Sequence, residues 1–280
     1  VLLPVAVIAA GGATAVLLVA HRGGATVADR PRIRVVVTTS LLEAAVRDLT
    51  GGAVEVERLV PPGSCPGHFD LRPADLERLL DARLVLLDVY QRPLAARLEG
   101  IATRCGEAVL LPESRSPLVP DGYAALLEEL ARRAGPALGL DTATARLRLE
   151  RLGRRLERLG TVLRREAAPM RGVRVVSSVR LAELCRWLGL EVVATLPPNG
   201  DASPRALLRS TAAAPELVVA SLQEGIGAAR ALAERYGVPV AVLSTFPGAP
   251  GFGSGYEELL RSDVRRLEEA WRASPSRSTR

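Results

Sequence analysis

The sequence predicts an α/β protein of two lobes, each with a parallel sheet flanked by helices. One long rigid helix joins the lobes, and an apolar helix precedes them. Three observations carry this reading. Short β-branched runs alternate with helical spacing in both halves of the chain. A leucine stripe without a strand lies between the halves, and the first 20 residues carry no charge. Hydrophobic residues make up 48% of the chain, which excludes a disordered protein, while aromatics at 3% leave the core to Leu, Val and Ala.

In chain order, Ile33–Thr38 reads as a strand ending in Thr39-Ser40, a natural helix N-cap. Leu41–Leu49 has helical spacing and stops at Gly51-Gly52. A second strand, Val54–Val60, enters the loop Pro61 to His68. Pro73 then opens a helix to Leu80, since proline suits the first helical turn. Leu84–Leu87 and Ala108–Leu111 are short buried strands. Strands alternating with helices imply a parallel sheet covered on both faces.

From Asp141 to Ala168, Leu147, Leu149, Leu152, Leu156, Leu159 and Leu163 recur at helical intervals, with Arg and Glu between them. This is one amphipathic helix ended by Pro169. A second α/β pattern follows. Its strands are Val173–Ser177, Val192–Leu196, Glu216–Ala220 and Val240–Leu243. Its helices are Leu181–Leu188, one opening at Ser203-Pro204, Ala228–Tyr236 and Tyr256–Trp271. In such folds ligands bind beyond the carboxyl ends of the strands, here between the lobes.

The boundaries follow: 1–22 a signal or membrane-anchor segment, 23–31 a linker, 32–139 the N-terminal lobe, 140–169 the connecting helix, 170–272 the C-terminal lobe, and 273–280 a polar tail. The stretch Val1–Ala20 is long enough to cross a bilayer core of about 30 Å as a helix. It implies export, as a removed signal or an uncleaved anchor, to the periplasm or the outer face of the cytoplasmic membrane. The net charge of +6 is all arginine on the basic side. Those arginines are interleaved with Glu along helices, which describes a solvated face and not a nucleic-acid footprint.

The chain contains no Gly-x-Ser-x-Gly elbow, no phosphate-binding Gly-x-x-x-x-Gly-Lys loop, and no Lys at all. A Cys65–His68 pair is the sole candidate for nucleophilic catalysis, and nothing in the sequence supplies its oxyanion hole. The expectation is a non-enzyme. There is no Cys-x-x-Cys pair; Cys65 and Cys105 fall in loops where a disulfide is open to them. Cys185, within Leu184-Cys185-Arg186-Trp187, reads as core. Glu183 reads as a surface partner of Arg180 or Arg186.

Several loops then resemble a known family. Leu59-Val60-Pro61-Pro62-Gly63-Ser64, a following histidine, and Arg72-Pro73-Ala74-Asp75-Leu76 look like the signature of solute-binding proteins of zinc/manganese-type ABC importers. Cys65-Pro66-Gly67-His68-Phe69-Asp70 resembles one branch of that family. So do Arg186-Trp187-Leu188-Gly189-Leu190-Glu191-Val192-Val193-Ala194-Thr195, Ser221-Leu222-Gln223 and Leu243-Ser244-Thr245-Phe246-Pro247-Gly248. The resemblance implies a monomeric protein that captures one divalent ion, zinc or manganese, between its lobes. It would deliver that ion to a membrane permease and its ATPase.

The ligand set departs from the family. No histidine stands in Ser116–Pro120, where a second is usual. Ser178, Val179 and Arg180 occupy the region of the third, and Ser244 replaces the last carboxylate. A reduced metal site therefore falls to His68 with Cys65, Gln223 or Glu224, and a thiolate favours a soft ion. Alternatively, Ser40, Ser178, Gln223 and Ser244 bind a small non-metal solute, or the chain is a paralogue without a ligand.

Overall fold

The computed structural model describes residues 33–88, 91, 96, 106–112, 115–198 and 213–274, with the side chain of His68 left out. The expected apolar helix and linker, the helix opening at Ser203-Pro204, Cys105, and the tail after Ser274 lie outside the described residues.

The N-terminal sheet has strands β1 (Arg34–Val37), β2 (Glu55–Arg58), β3 (Leu84–Asp88) and β4 (Glu107–Leu111) in the order β2-β1-β3-β4. The C-terminal sheet has β5 (Arg174–Ser178), β6 (Glu191–Leu196), β7 (Leu217–Ser221) and β8 (Val240–Leu243) in the order β6-β5-β7-β8. Every pairing is parallel, with Val35 facing Val56 on one side and Leu84 on the other. The two sheets thus share one topology. In each, the chain reverses its direction of winding between the two central strands, which opens a crevice at their carboxyl ends.

The described helices are α1 (Ser40–Thr50), α2 (Pro73–Leu80), α3 (Pro120–Ala134), α4 (Thr142–Ala167), α5 (Ala182–Trp187), α6 (Gly227–Tyr236) and α7 (Tyr256–Arg272). Local chemistry sets their ends. The Thr39 hydroxyl caps α1 by accepting the Leu42 N–H at 3.4 Å, and Gly51 closes the helix at φ 64°. Asp141 caps α4 through the Thr144 N–H at 2.8 Å. The 26-residue α4 ends where Pro169 enters a 3-10 turn, as its sequence requires.

Two sequence expectations need correction. Helix α3 has no counterpart in the sequence reading, although Pro120 at its first turn and Tyr123, Leu127, Leu130 and Ala134 on its buried face mark it. Leu147 lies off the leucine stripe of α4: it is 63% exposed, whereas Leu156, Leu159 and Leu163 are buried.

Those three leucines join a single hydrophobic core that runs from Val35 on β1 to Trp271 on α7, so both lobes share it. Each fully buried leucine contributes about 1.5–3 kcal/mol. The outer sheet faces have separate, smaller clusters around Val36, Val85 and Leu79, and around Val176, Val218 and Leu232. The lobes are tied again where Tyr123 of α3 stacks on Tyr256 of α7, with ring centroids 3.6 Å apart. Tyr123 also donates its hydroxyl to Asp48 of α1 at 2.9 Å. The chain from Arg32 onward forms one unit, and a shared core of this extent opposes wide opening of the lobes.

Candidate functional site

A cleft of about 310 Å³ lies between the lobes at the carboxyl ends of both sheets. The N-terminal wall comes from Leu41, from Cys65, Pro66 and Gly67 of the loop after β2, from Asp88 at the end of β3, and from Ser116, Pro117 and Leu118. The C-terminal wall comes from Val179, Arg180 and Glu183 after β5, Gln223 and Glu224 after β7, and Thr245 and Phe246 after β8.

On the N-terminal wall, the loop after β2 is tied by backbone bonds. The Ser64 N–H donates to the Pro61 carbonyl at 3.0 Å, and the 3-10 turn Pro66–His68 closes through Phe69 N–H to Pro66 at 3.4 Å. Cys65 is a half-buried free thiol, so the disulfide left open by the sequence is not made by this residue. His68 sits in the same turn three residues on. Asp75 anchors the start of α2 by accepting the Arg72 backbone N–H at 3.1 Å. Its bond from the Arg72 side chain, above all, holds the Asp75 carboxyl below the usual range.

The C-terminal wall is a dense polar network. The Gln223 amide nitrogen donates to the Pro62 carbonyl of the other lobe and to the Ser244 hydroxyl, each at 2.8 Å. Its amide oxygen accepts from the Thr245 N–H at 3.0 Å, the Thr245 hydroxyl at 3.1 Å and the Ser221 hydroxyl at 3.4 Å. Behind it, the Ser244 N–H donates to Asp263 at 3.0 Å. Burial pushes the Asp263 carboxyl well above its ordinary pKa, against the pull of the Ser244 N–H.

Glu224 is held differently. Its carboxylate accepts from the Ser178 hydroxyl on one oxygen and from Arg180 Nε at 3.1 Å on the other. The Ser178 hydroxyl in turn accepts the Arg180 N–H at 3.3 Å. The Glu224 side chain is only 7% exposed and that of Arg180 31%. The bend that aims Glu224 inward follows from Gly225, whose φ of 83° disfavours any other residue.

The structure therefore sorts the expected site residues. Cys65, Gln223 and Glu224 line one cleft. Ser178 supports Glu224 from beneath, in an adjoining depression. Ser244 is fully buried and serves Gln223 and the Phe246 backbone. Ser40 faces a separate groove with Glu43, Arg47 and Arg58. Cys185 is core: burial, above all, pushes its thiol pKa up to about 11.

Glu183 does not make the surface pair expected of it, but accepts the Ser116 N–H across the cleft at 3.3 Å. Sequence reasoning missed Asp88 as a lining carboxylate; its position at the end of a central strand, beside the change of winding, was the available signal. The donor groups Cys65, Asp88, Glu183 and Glu224 thus sit on both walls. Among the described residues, however, no three His, Cys, Asp or Glu side chains converge closely enough to hold an ion.

Fold and cleft together define a two-lobed α/β protein with a long connecting helix and a small cleft between the lobes. Comparisons with known proteins agree. The sequence profile of ZnuA, the periplasmic component A of the zinc-uptake complex, matches residues 35–91. The chain is similar in fold to a crystal structure of ZnuA at a TM-score of 0.68 and 16% identity, covering 86% of this chain and 100% of that one. It is similar to an Mn-bound periplasmic metal-binding protein from Candidatus Liberibacter asiaticus at a TM-score of 0.71 and 13% identity, covering 86% and 100%. A mutant of the laminin-binding adhesin Lmb from Streptococcus agalactiae gives a TM-score of 0.67 and 16% identity over 85% and 98%. No curated protein matches the sequence.

Proposed function

We propose that this chain is the extracytoplasmic solute-binding component of an ABC importer that carries a divalent transition-metal ion, of the zinc or manganese type, to a permease and its ATPase. The observation that carries the reading is the cleft at the carboxyl ends of two like sheets, with Cys65 on one wall and Glu224 on the other. The matched segment 35–91 contains the Cys65–His68 loop, and the similar structures include proteins described as zinc-bound, Mn-bound and Cd-bound. The ligands are His68 and Cys65 with Glu224, while Gln223 braces the wall beside them. A thiolate, an imidazole and a carboxylate form a borderline-soft set that suits zinc.

Metal analysis of the purified chain, with thermal melting in zinc and in manganese, tests this. One ion per chain and a melting temperature that rises with its concentration are expected. His68→Ala abolishes most of that rise. No bound metal and no shift with either cation would overturn the reading.

A further inference from the structure

The Arg and Glu residues that alternate along the sequence of α4 do not alternate on its surface. The helix carries eight arginines against three glutamates, a net +5 in a chain of +6. Four of the arginines are engaged. Arg146 donates to Glu150 at 3.0 Å, Arg148 to the Leu49 carbonyl at 2.7 Å and Arg155 to Glu257 at 3.0 Å, while Arg164 stacks over Trp187. The other four, Arg151, Arg154, Arg158 and Arg165, are exposed. They form no ion pair or side-chain hydrogen bond among the described residues.

Helical spacing places these four on one face, opposite the buried Leu156, Leu159 and Leu163. At 1.5 Å per residue they form a ridge about 21 Å long. No carboxylate stands on this face. Glu150 is turned to Arg146, Glu166 lies toward Arg261 of α7, and Glu157 flanks the ridge. Leu147, one turn before Arg151, continues the same face and is 63% exposed. The other large exposed apolar side chain among the described residues, Val179, lines the cleft.

We propose that this ridge docks on anionic phospholipid headgroups, with Leu147 entering the interface at its N-terminal end. A row of unpaired guanidiniums is attracted to a surface of phosphates, and each can hold one by forked hydrogen bonds. The leucine beside them adds the apolar contact of helices that lie on a bilayer. The helix has no aromatic residue, so it offers no base-stacking platform for a single-stranded nucleic acid. The place of the ridge in the fold agrees. The described chain starts at Ile33, which packs at Gly139, two residues before the Asp141 cap of α4. The uncharged stretch Val1–Ala20, expected to enter a membrane, connects to Ile33 through about a dozen residues, a reach of at most about 40 Å. The leucines of α4 join the core shared by both lobes, so docking through this helix needs no movement of one lobe against the other.

The test is partition of the full chain, at limiting lipid and low salt, onto vesicles of phosphatidylcholine alone and of phosphatidylcholine mixed with phosphatidylglycerol. Neutral vesicles measure what the N-terminal stretch contributes, and the ratio of the two partition coefficients measures the ridge. One basic residue near an anionic surface corresponds to about fivefold in affinity. Arg154→Gln/Arg158→Gln should therefore lower the ratio about 25-fold, and Gln at all four ridge positions should bring it close to one. Glu157→Gln, which removes the flanking acid, should raise it. Arg146→Gln/Arg164→Gln removes the same charge from the same helix away from the ridge, and should change the ratio by less than about twofold.

Equal losses from the ridge pair and the off-ridge pair would show a response to net charge alone and would overturn the proposal. So would a wild-type ratio close to one. Retention on heparin that depends on the ridge arginines, without preference for the anionic vesicles, would assign the ridge to a soluble polyanion and overturn it as well. Gln has high helix propensity, so both double variants should melt within a few degrees of wild type. Should a ridge variant melt early, Glu157→Gln still decides, since no gain on anionic vesicles would contradict the proposal. None of these outcomes depends on metal binding.

Discussion

The two walls of the cleft differ in how they are built. On the N-terminal wall the loop after β2 is tied, among the described residues, by backbone bonds, and its proposed ligands, Cys65 and His68, stand three residues apart in one short stretch of sequence. On the C-terminal wall the chemistry is assembled from separate strands. Gln223 after β7, Ser244 and Thr245 after β8, and Asp263 on α7 form one connected polar network. Both walls present donors, and the C-terminal wall also carries a connected polar network behind them. The bond from Gln223 to the Pro62 carbonyl joins the two and sets the width of the cleft.

The sharpest way to break this contrast is to remove its connecting residue. Gln223→Ala leaves the buried Ser244 hydroxyl and Thr245 N–H without their partner, and should cost about 3 kcal/mol of stability. The matching change on the other wall, Ser64→Ala, should cost under about 0.5 kcal/mol, because Ser64 is exposed. Urea unfolding of both variants measures the ratio, and equal losses would mean that the walls are equally bonded.

A smaller effect concerns Asp263. Its pKa is raised by burial, so the native state holds a proton that the unfolded chain releases above about pH 4. Native protein then binds more protons than unfolded protein. Stability is full below the unfolded pKa and falls as pH rises toward the folded one. Asp263→Asn keeps an acceptor for the Ser244 N–H and removes the titration. The variant should be more stable than wild type at pH 8, by about 1 kcal/mol or more, and level with it near pH 4. Thermal melting across that range reads the difference, and parallel profiles would show that Asp263 does not titrate as burial implies.

The same contrast explains what the sequence made legible. The strand and helix pattern was plain, since β-branched runs, proline-opened helices and glycine stops are local signals. The N-terminal wall was legible too, because Pro61 to His68 is contiguous. The C-terminal wall was only half legible. Glu224 and Gln223 were marked, but that the Gln223 amide is fully engaged depends on Pro62, Ser244 and Thr245, which are distant in sequence. Nor could Arg180 be assigned to Glu224, or Glu183 to Ser116, without the fold that brings β5 and β7 together. Helix α3 has regular spacing on its buried face, but Pro120 and Gly122 in its first turn and Gly135-Pro136 just after it are also turn signals, which mask it in the sequence.

The metal ion we propose would bridge the two walls, with the Cys65 thiolate among its ligands. X-ray absorption at the zinc edge of the zinc-loaded chain tests it most directly, with Cys65→Ser beside wild type. The wild-type protein should show one sulfur at about 2.3 Å with nitrogen and oxygen neighbours at about 2.0–2.2 Å, and the sulfur should vanish in the variant. A shell of nitrogen and oxygen alone, unchanged by Cys65→Ser, would contradict the account.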